Sequence, residues 1–157
     1  NNCIRTGMVF EKFDSDYRIE EFYNLLKLNL LKHNTSPVHS LTEILDLKRN
    51  RLFHEIEFFG IFLDGKMLAG AMIFIFAETM IAHTQYLAAG NDYLNYSPMS
   101  FLYYSILVEM KRRNFKKVSW GIVTEECGTK INFGLLKSKE AFGSTFTINK
   151  TYIKYIG

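Results

Sequence analysis

The sequence predicts an α+β fold built on a twisted, mixed β-sheet with helices on both faces. Three observations predict it. After a short first strand come two segments with helical spacing of apolar residues. Three apolar strand-like segments joined by short turns follow, and a further helix then leads to a short strand. Strands joined by short turns pair antiparallel, whereas a strand that follows a crossover helix returns parallel to its predecessor.

The first three predicted elements are a strand and two helices. Residues 8–13 form the strand, and apolar residues then recur at helical spacing as far as His33 and Asn34. The inward-facing residues of this helix are Ile19, Phe22, Tyr23, Leu26 and Leu30. Ser40 and Glu43 form an S-x-x-E capping box, which predicts that a second helix begins directly after Ser40.

A three-stranded antiparallel meander is predicted next, over residues 55–63, 67–76 and 79–89. The dipeptide Asp64-Gly65 between the first two strands is a hairpin signal. The middle strand is apolar on both faces, so we expect it at the centre of the sheet, covered on both sides. Its small residues around Gly70 would let another element approach closely.

A third helix and a parallel strand follow the meander. Ser97 and Pro98 predict the N-cap and the first position of the helix. Residues 117–122 then form a strand that ends in Trp120-Gly121, and the crossover helix places it parallel to the strand at 79–89. Where two parallel strands part, their carboxyl ends border a crevice, which is a common place for a ligand.

The chain ends with a predicted helix, which carries Ile131, Leu135 and Leu136, and with a strand over residues 146–156. These elements account for residues 1–157 as a single domain, a length that suits one hydrophobic core. Because the sequence opens on Asn1-Asn2 without a methionine, we expect it to be part of a longer protein. The longest apolar run, residues 67–77, is shorter than the ~20 residues that span a bilayer.

Composition excludes several classes of protein. The chain is 48% hydrophobic, which excludes general disorder. Its net charge of +3, from 19 basic and 16 acidic residues, is too small to predict nucleic-acid binding. The densest basic cluster, Lys111, Arg112, Arg113, Lys116 and Lys117, falls at the end of the third helix. Positive side chains at that end of a helix interact favourably with the helix dipole, so we expect this role for the cluster rather than a phosphate-binding patch.

The cysteines and histidines predict neither a metal site nor a disulfide framework. Cys3 and Cys127 lack metal-ligand spacing, and no pair of histidines has it. Two cysteines are also too few for a framework of disulfides. We therefore expect no metal and a reducing, cytoplasmic compartment.

Six short motifs carry a resemblance to a known family. They are Phe22-Tyr23-x-Leu25-Leu26, Pro37-x-His39-Ser40-Leu41, Asp64-Gly65-Lys66 with Ala69-Gly70, Ala82-His83-Thr84-Gln85-Tyr86, Trp120-Gly121-x-x-Thr124-Glu125, and Asn132-x-Gly134-Leu135-x-Lys137 with Phe142-Gly143. In this order they resemble the GNAT acyltransferase superfamily and, within it, the FemAB-like branch of peptidoglycan aminoacyltransferases. The resemblance implies a GNAT-like fold and transfer of an acyl or aminoacyl group to an amine without a metal. It also implies a tandem architecture, in which this chain is the C-terminal of two GNAT-like domains.

The segment that would bind the acyl donor departs from the GNAT pattern. GNAT enzymes hold the diphosphate of acyl-coenzyme A in a Q/R-x-x-G-x-G/A loop at the start of a helix, where backbone N–H groups point at the anion. The corresponding residues 89–100 contain one glycine, Gly90, an aspartate, Asp92, and Pro98, which has no N–H. The FemAB-like resemblance implies aminoacyl-tRNA as the donor instead, and acyl-coenzyme A stays open. Ser97, at the helix N-terminus, can still bind one phosphate or carboxylate of a donor.

His83 is the first candidate catalytic residue. It lies on the third meander strand, and an imidazole with an ordinary pKa of ~6.5 suits removal of a proton from an ammonium near neutral pH. The alternative is a strand histidine bonded to neighbouring backbone. Gln85 shares the face of His83 in a regular strand and is the first candidate substrate-binding residue. Tyr86, a second one, falls on the opposite face unless a bulge intervenes.

Glu125 is the second candidate catalytic residue, as a general base or as a ligand of the substrate amine. The alternative is a charge in the first turn of the last helix. Gly121 permits close approach of a ligand. The remaining candidate substrate-binding residues are Trp120, Thr124, Asn132 and Lys137. For Trp120 the alternative is core packing, and for Lys137 it is a solvated helix face.

Two hypotheses of function follow. In the first, the chain is an acyltransferase in which the bound amine attacks directly, because the sequence has no Ser-His-acid array with a nucleophile elbow and no P-loop. The acceptor would be an amine on a small molecule or a cell-wall precursor. In the second, the chain is a non-catalytic GNAT-like half that holds tRNA or a cell-wall precursor.

Overall fold

The computed structural model describes residues 7–32, 34–91, 94–148 and 154. Contacts divide the chain into two compact units, residues 1–121 and residues 122–157, and each is described by itself. The first two residues, Cys3, His33, Asp92 and most of the strand predicted over 146–156 lie outside the described residues. No helix in the described ranges is both long and apolar enough to cross a membrane.

The first unit is built on a five-stranded sheet in the order β1-β2-β3-β4-β5. The strands are β1 (Val9–Phe13), β2 (Ile56–Leu63), β3 (Lys66–Phe76), β4 (Ile81–Ala89) and β5 (Lys117–Ser119). The first four pair antiparallel, and β4 and β5 pair parallel. The predicted meander, the central place of its middle strand and the parallel pair are therefore confirmed. The fifth strand is shorter than predicted, because the chain turns at Gly121, whose φ is +75°.

Three helices accompany this sheet: α1 (Asp16–Leu31), α2 (Leu41–Asp46) and α3 (Pro98–Arg112). The Ser15 side chain caps α1 by accepting the Arg18 N–H. The predicted capping box of α2 is present in both directions, since Ser40 Oγ accepts the Glu43 N–H and the Glu43 carboxylate accepts the Ser40 N–H. A π-helical turn over Leu47–Arg51 continues α2 into the loop before β2.

One face of the sheet packs against α1 and α2. Ile19, Phe22 and Leu26 of α1 are fully buried there. Gly70 of β3 makes this approach possible, because a Cβ built on it would lie 2.6 Å from Phe22 Cδ2. Burial of a ring such as Phe22 contributes about 1.5–3 kcal/mol, so the packing of α1 on this face stabilises the unit.

The opposite face of the sheet is covered by α3 and carries an ion network around the buried Glu57. Leu102, Ile106 and Met110 of α3 are buried. The carboxylate of Glu57 on β2 accepts hydrogen bonds from Lys12 Nζ at 2.7 Å and from Arg113, just after α3, at 2.5 Å. Arg112 pairs with Glu109, so two members of the basic cluster, Arg112 and Arg113, have carboxylate partners. Helices therefore lie on both faces, as predicted.

The second unit contains a two-stranded hairpin and a helix. The hairpin pairs β6 (Thr124–Glu125) with β7 (Lys130–Ile131), and α4 covers Phe133–Glu140. Ile131, which we expected in the last helix, lies in β7, because Asn132 interrupts the pattern. The Asn132 side chain accepts the Leu135 N–H at 2.9 Å and so fixes the start of the helix one residue later.

Candidate functional site

His83 lies where the parallel strands β4 and β5 part. It pairs with Ser119, the last residue of β5, while β4 continues for six more residues. The Nδ1 atom of His83 lies 2.9 Å from Ser119 Oγ, and this hydroxyl also accepts the Gly121 N–H at 3.5 Å. The structure therefore fixes the imidazole at the carboxyl end of the parallel pair, where the sequence predicted a crevice.

A bulge in β4 changes which residues share the face of His83. Tyr86 pairs with Met72 and Thr84 with the adjacent Ile73, so Gln85 is an extra residue on β4. His83 pairs with Phe74, two residues from Met72, which puts His83 and Tyr86 on the same face. The expectation that Gln85 shares this face was wrong, because it holds only for a regular strand. Tyr86 takes that face instead, which is the exception that a bulge was expected to create.

Tyr86 is held by His39, a residue for which the sequence predicted no site role. The backbone N–H of His39 donates to Tyr86 Oη at 3.3 Å, and the ring Nδ1 lies 2.8 Å from the same oxygen. The two rings meet edge to face, with centroids 6.0 Å apart. His39 belongs to the linker between α1 and α2. Its place in the Pro37-x-His39-Ser40-Leu41 motif was the available signal, but no spacing in the sequence relates that motif to β4.

His39 and His83 make the same kind of contact. Each Nδ1 contacts a hydroxyl oxygen, and each of these oxygens also accepts a backbone N–H. His39 and Tyr86 form one such pair, and His83 and Ser119 form the other. Because Tyr86 and His83 are successive members of one face of β4, we call the four side chains the polar row.

Trp120 and Gly121 follow the polar row on the chain. Trp120 is buried and packs edge to face on Tyr103 of α3, with ring centroids 4.6 Å apart. Burial raises the pKa of the Tyr103 hydroxyl. A Cβ on Gly121 would lie 4.0 Å from His83 Cε1, so the backbone there passes close to the imidazole.

The other candidate residues lie in the second unit. Glu125 ends β6, and its carboxylate accepts a 2.6 Å hydrogen bond from Asn132 Nδ2. Glu125 therefore does not lie in the first turn of α4, which was the alternative interpretation. Thr124 is half-buried beside it in β6, and Lys137 is exposed on α4. The structure brings Glu125 and Asn132 together, and it brings His83 and Tyr86 together in the other unit.

The segment before α3 does not form a glycine-rich phosphate cradle in the described residues. The Gly90 N–H is used by the Leu68 carbonyl at 2.9 Å, and residues 94–96 form a 3₁₀ turn. Ser97 precedes the helix as predicted, but its φ is +50° and its side chain makes no capping hydrogen bond. Pro98 at the first helical position removes one further N–H donor. These residues do not fit the diphosphate of acyl-coenzyme A as a glycine loop would.

A groove of about 400 Å³ borders the linker that carries His39. It is lined by Tyr23, Lys27 and Leu31 of α1, by linker residues that include Val38, and by Glu43 of α2. The bonds from Ser40 lower the pKa of Glu43, so the groove has a carboxylate as well as a lysine at its border. Among the residues that the structure describes, no three His, Cys, Asp or Glu side chains are placed to hold a metal ion.

The described architecture is similar to that of several acetyltransferase structures. An aminoglycoside acetyltransferase from an uncultured soil metagenomic sample, in complex with sisomicin, superposes with a TM-score of 0.69 over 98% of both chains, at 11% identity. A possible acetyltransferase from Clostridium difficile 630 gives 0.70 at 9% identity, over 95% of this chain and 97% of that one. FemX gives 0.73 at 13% identity, over 90% of this chain and 51% of FemX.

No protein-family model matches the sequence, and no curated protein sequence matches it. Identities this low show the fold alone. The fold likeness rests on an antiparallel meander followed by a crossover helix and a parallel strand, which is the arrangement found here in β2 to β5. The chain therefore has the fold of the GNAT acyltransferases.

Proposed function

We propose that this protein transfers an acyl or aminoacyl group to an amine acceptor, with His83 as the base. The observation that carries the proposal is the His83–Ser119 pair, which sits where the parallel strands part in a fold shared with acetyltransferases. A ligand bound in that crevice would meet the imidazole. The FemX likeness and the FemAB-like motifs support an aminoacyl ester as the donor. The poor fit of residues 94–98 to a diphosphate supports it as well.

The chemistry requires a neutral amine. For His83 to act as a base, the imidazole carries its proton at Nδ1, where it can donate to Ser119 Oγ, and Nε2 is then the basic nitrogen. The amine nitrogen attacks the acyl carbon, a C–N bond forms, and the carbonyl electron pair moves onto oxygen. The bond to the leaving oxygen or sulfur then breaks with its electron pair. The proton lost by nitrogen passes to His83 and from there to the leaving group.

Glu125 is proposed as a ligand of the acceptor amine or as a second base. Its carboxylate is held by Asn132, so one oxygen is oriented within the second unit. Thr124, Asn132 and Lys137 are proposed substrate-binding residues of that unit. In the first unit, Gln85, Tyr86, Trp120 and Gly121 are proposed in the same role, and Ser97 as a contact of the donor.

The proposed setting is a cytoplasmic protein that acts on a cell-wall precursor, with a preceding GNAT-like domain in a longer chain. That the chain spans about half of FemX supports this architecture. A second candidate function is a non-catalytic half that holds tRNA or the precursor. The structure of residues 94–98, which lacks a glycine cradle, favours this candidate over an enzyme that uses acyl-coenzyme A.

A transfer assay tests the proposal. The chain is incubated with acetyl-coenzyme A or charged tRNA and with a muropeptide precursor, and the amide product is followed by mass spectrometry. We expect His83→Ala to lower turnover by about 10²–10⁴-fold, the usual contribution of a general base, and Glu125→Ala to lower it less. The control is His54→Ala, since His54 is exposed and outside the polar row.

Unchanged turnover in both variants would remove His83 and Glu125 from the mechanism. Binding without turnover would favour the second candidate function. A thermal-shift measurement with the same probes detects it, because a ligand at 100 times its Kd stabilises the folded state by ~2.7 kcal/mol.

A further inference from the structure

The position of the Tyr86 hydroxyl is fixed by two contacts with His39, in addition to the packing of the ring. Two donors can reach its oxygen: the His39 backbone N–H at 3.3 Å and, when protonated there, the ring Nδ1 at 2.8 Å. A phenolic oxygen accepts two hydrogen bonds and donates one. If both acceptor positions are filled by His39, the O–H must point to a third group.

The position of Tyr86 suggests what that third group is. The bulge at Gln85 brings Tyr86 onto the face of His83, as the next member along the strand. The pairing of β4 with β5 ends at His83 and Ser119 and does not extend to Tyr86, so both side chains lie at the place where the parting strands are expected to border a ligand. Without the bulge, the ring would point to the other side of the sheet, where α3 packs. The bulge therefore puts the Tyr86 ring on the face of His83, and the contacts with His39 fix the position of its oxygen.

We propose that Tyr86 is a second group that contacts the substrate, with its O–H donating to the carbonyl oxygen of the acyl group. His39 is its positioning residue, with the ring proton on Nδ1. The inference rests on the proposed function and adds to it a defined partner for the acyl oxygen. It concerns ligands that present a carbonyl, whether in the donor ester or thioester or in the amide product.

The chemical role follows from where charge develops. When the amine attacks, the carbonyl electron pair moves onto oxygen, and a fixed O–H donor stabilises that charge. No bond to Tyr86 forms or breaks, and its proton stays on the phenol. Removal of one such donor lowers turnover by about 10²–10³-fold in enzymes where it has been measured.

The test uses two NMR readouts on the whole chain, with N-methylacetamide as a carbonyl probe. Nitrogen-15 spectra of the imidazoles report which ring nitrogen of His39 carries the proton, and a titration with the probe reports binding near His83 and Tyr86. The variants are Tyr86→Phe, His39→Leu and His39→Asn. Asparagine can place an amide N–H near the position of Nδ1, so it keeps the contact that leucine removes. Tyr104→Phe is the control, because Tyr104 is exposed on α3.

We expect a proton on Nδ1 of His39, and a shift of that nitrogen in Tyr86→Phe but not in Tyr104→Phe. We expect saturable probe shifts at His83 in the unmodified chain, with binding about fivefold to tenfold weaker in Tyr86→Phe and His39→Leu, and near-normal in His39→Asn. An Nδ1 without a proton, or no saturable shift, would overturn the proposal. So would equal effects of leucine and asparagine at 39 in variants that remain folded.

These outcomes are separate from those of the transfer assay. If the probe binds as expected and no donor supports turnover, the proposed enzyme function fails and the carbonyl site stands. If the native chain turns over and the probe results are negative, the enzyme function stands and the role of Tyr86 fails.

Discussion

His83 and Glu125, the two candidate catalytic residues, are held by different kinds of structure. His83 is part of a five-stranded sheet that is covered on both faces, and its imidazole contacts a hydroxyl on the paired strand. Glu125 ends a two-residue strand in a hairpin, and its carboxylate contacts the side chain of Asn132, seven residues on. Both contacts are short, but only the first depends on residues 36 positions apart in the sequence.

The difference shows how precisely each unit can hold a functional group. A side chain on a central strand is fixed by the ladder and by the core beneath it, so its position is as stable as the whole unit. An exposed contact within a short hairpin opens with the hairpin itself. We therefore expect His83 to keep its geometry under conditions in which the Glu125–Asn132 contact is lost. Three changes test the difference between the two units, and the last of them tests His83 directly.

The largest expected effect is on the core beneath the sheet. Phe22→Ala removes a fully buried ring that packs against Gly70, and we expect it to lower the free energy of unfolding by about 3–5 kcal/mol. The matched control in the second unit is Phe133→Ala, which removes a ring that is 65% exposed and should change stability by no more than ~0.5 kcal/mol. Urea denaturation of both variants measures the contrast, and similar costs would contradict it.

An intermediate effect is expected at Glu57, in the ion network of the sheet. Burial raises its pKa, but the hydrogen bonds from Arg113 and Lys12 outweigh burial and hold that pKa below its ordinary value of 4.5. The stabilisation is therefore present above pH 4.5 and is lost as the pH falls through the lowered pKa. Glu57→Gln should cost about 1.5–3 kcal/mol at pH 7, and less as the pH falls through the lowered pKa of Glu57.

Glu125→Gln is the matched control for that change, because its carboxylate is exposed and its partner is a neutral amide. We expect a change in unfolding free energy of less than ~0.5 kcal/mol at pH 7. Denaturation curves at several pH values compare the two variants. A cost at Glu57 that does not depend on pH would show that the network contributes through packing alone.

The smallest effect is expected in the second unit. Asn132→Ala removes the N-cap of α4 and the contact with Glu125, which should cost ~1 kcal/mol. Amide hydrogen exchange should become faster at Leu135, whose N–H bonds the Asn132 side chain, and stay unchanged at His83. Asn132→Ser keeps a capping oxygen and should restore slow exchange. Faster exchange at His83 in the alanine variant would contradict the independence of the two residues.

Much of the fold could be predicted from local sequence signals. The capping box at Ser40, the Asp64-Gly65 turn and Pro98 at the start of α3 each act over a few residues, and each lies where predicted. The absence of a side chain at Gly70 also predicted a close approach, which Phe22 makes. These features depend on backbone geometry that neighbouring residues determine.

The polar row could be predicted only in part. His83 was found because its residue type suits the chemistry, but its companion was misplaced. A bulge arises from the pairing of β3 and β4 across the sheet, and nothing in the sequence around Gln85 marks the extra residue. The role of His39 depends on a contact that spans 47 positions, and helical or strand periodicity carries no information over that range.

The extra residue at Gln85 also has a consequence for protein engineering. In a regular strand every second residue shares a face, so deletion of one residue rotates all that follow by half a turn. Deleting Gln85 would restore the alternation of β4. The existing pairs would stay as they are, with Tyr86 opposite Met72, Thr84 opposite Ile73 and His83 opposite Phe74, so His83 and Tyr86 would still share a face. Gln85 is therefore a position at which β4 should tolerate a deletion without exchanging its faces, and the change should be confined to the local bend and twist of the strand.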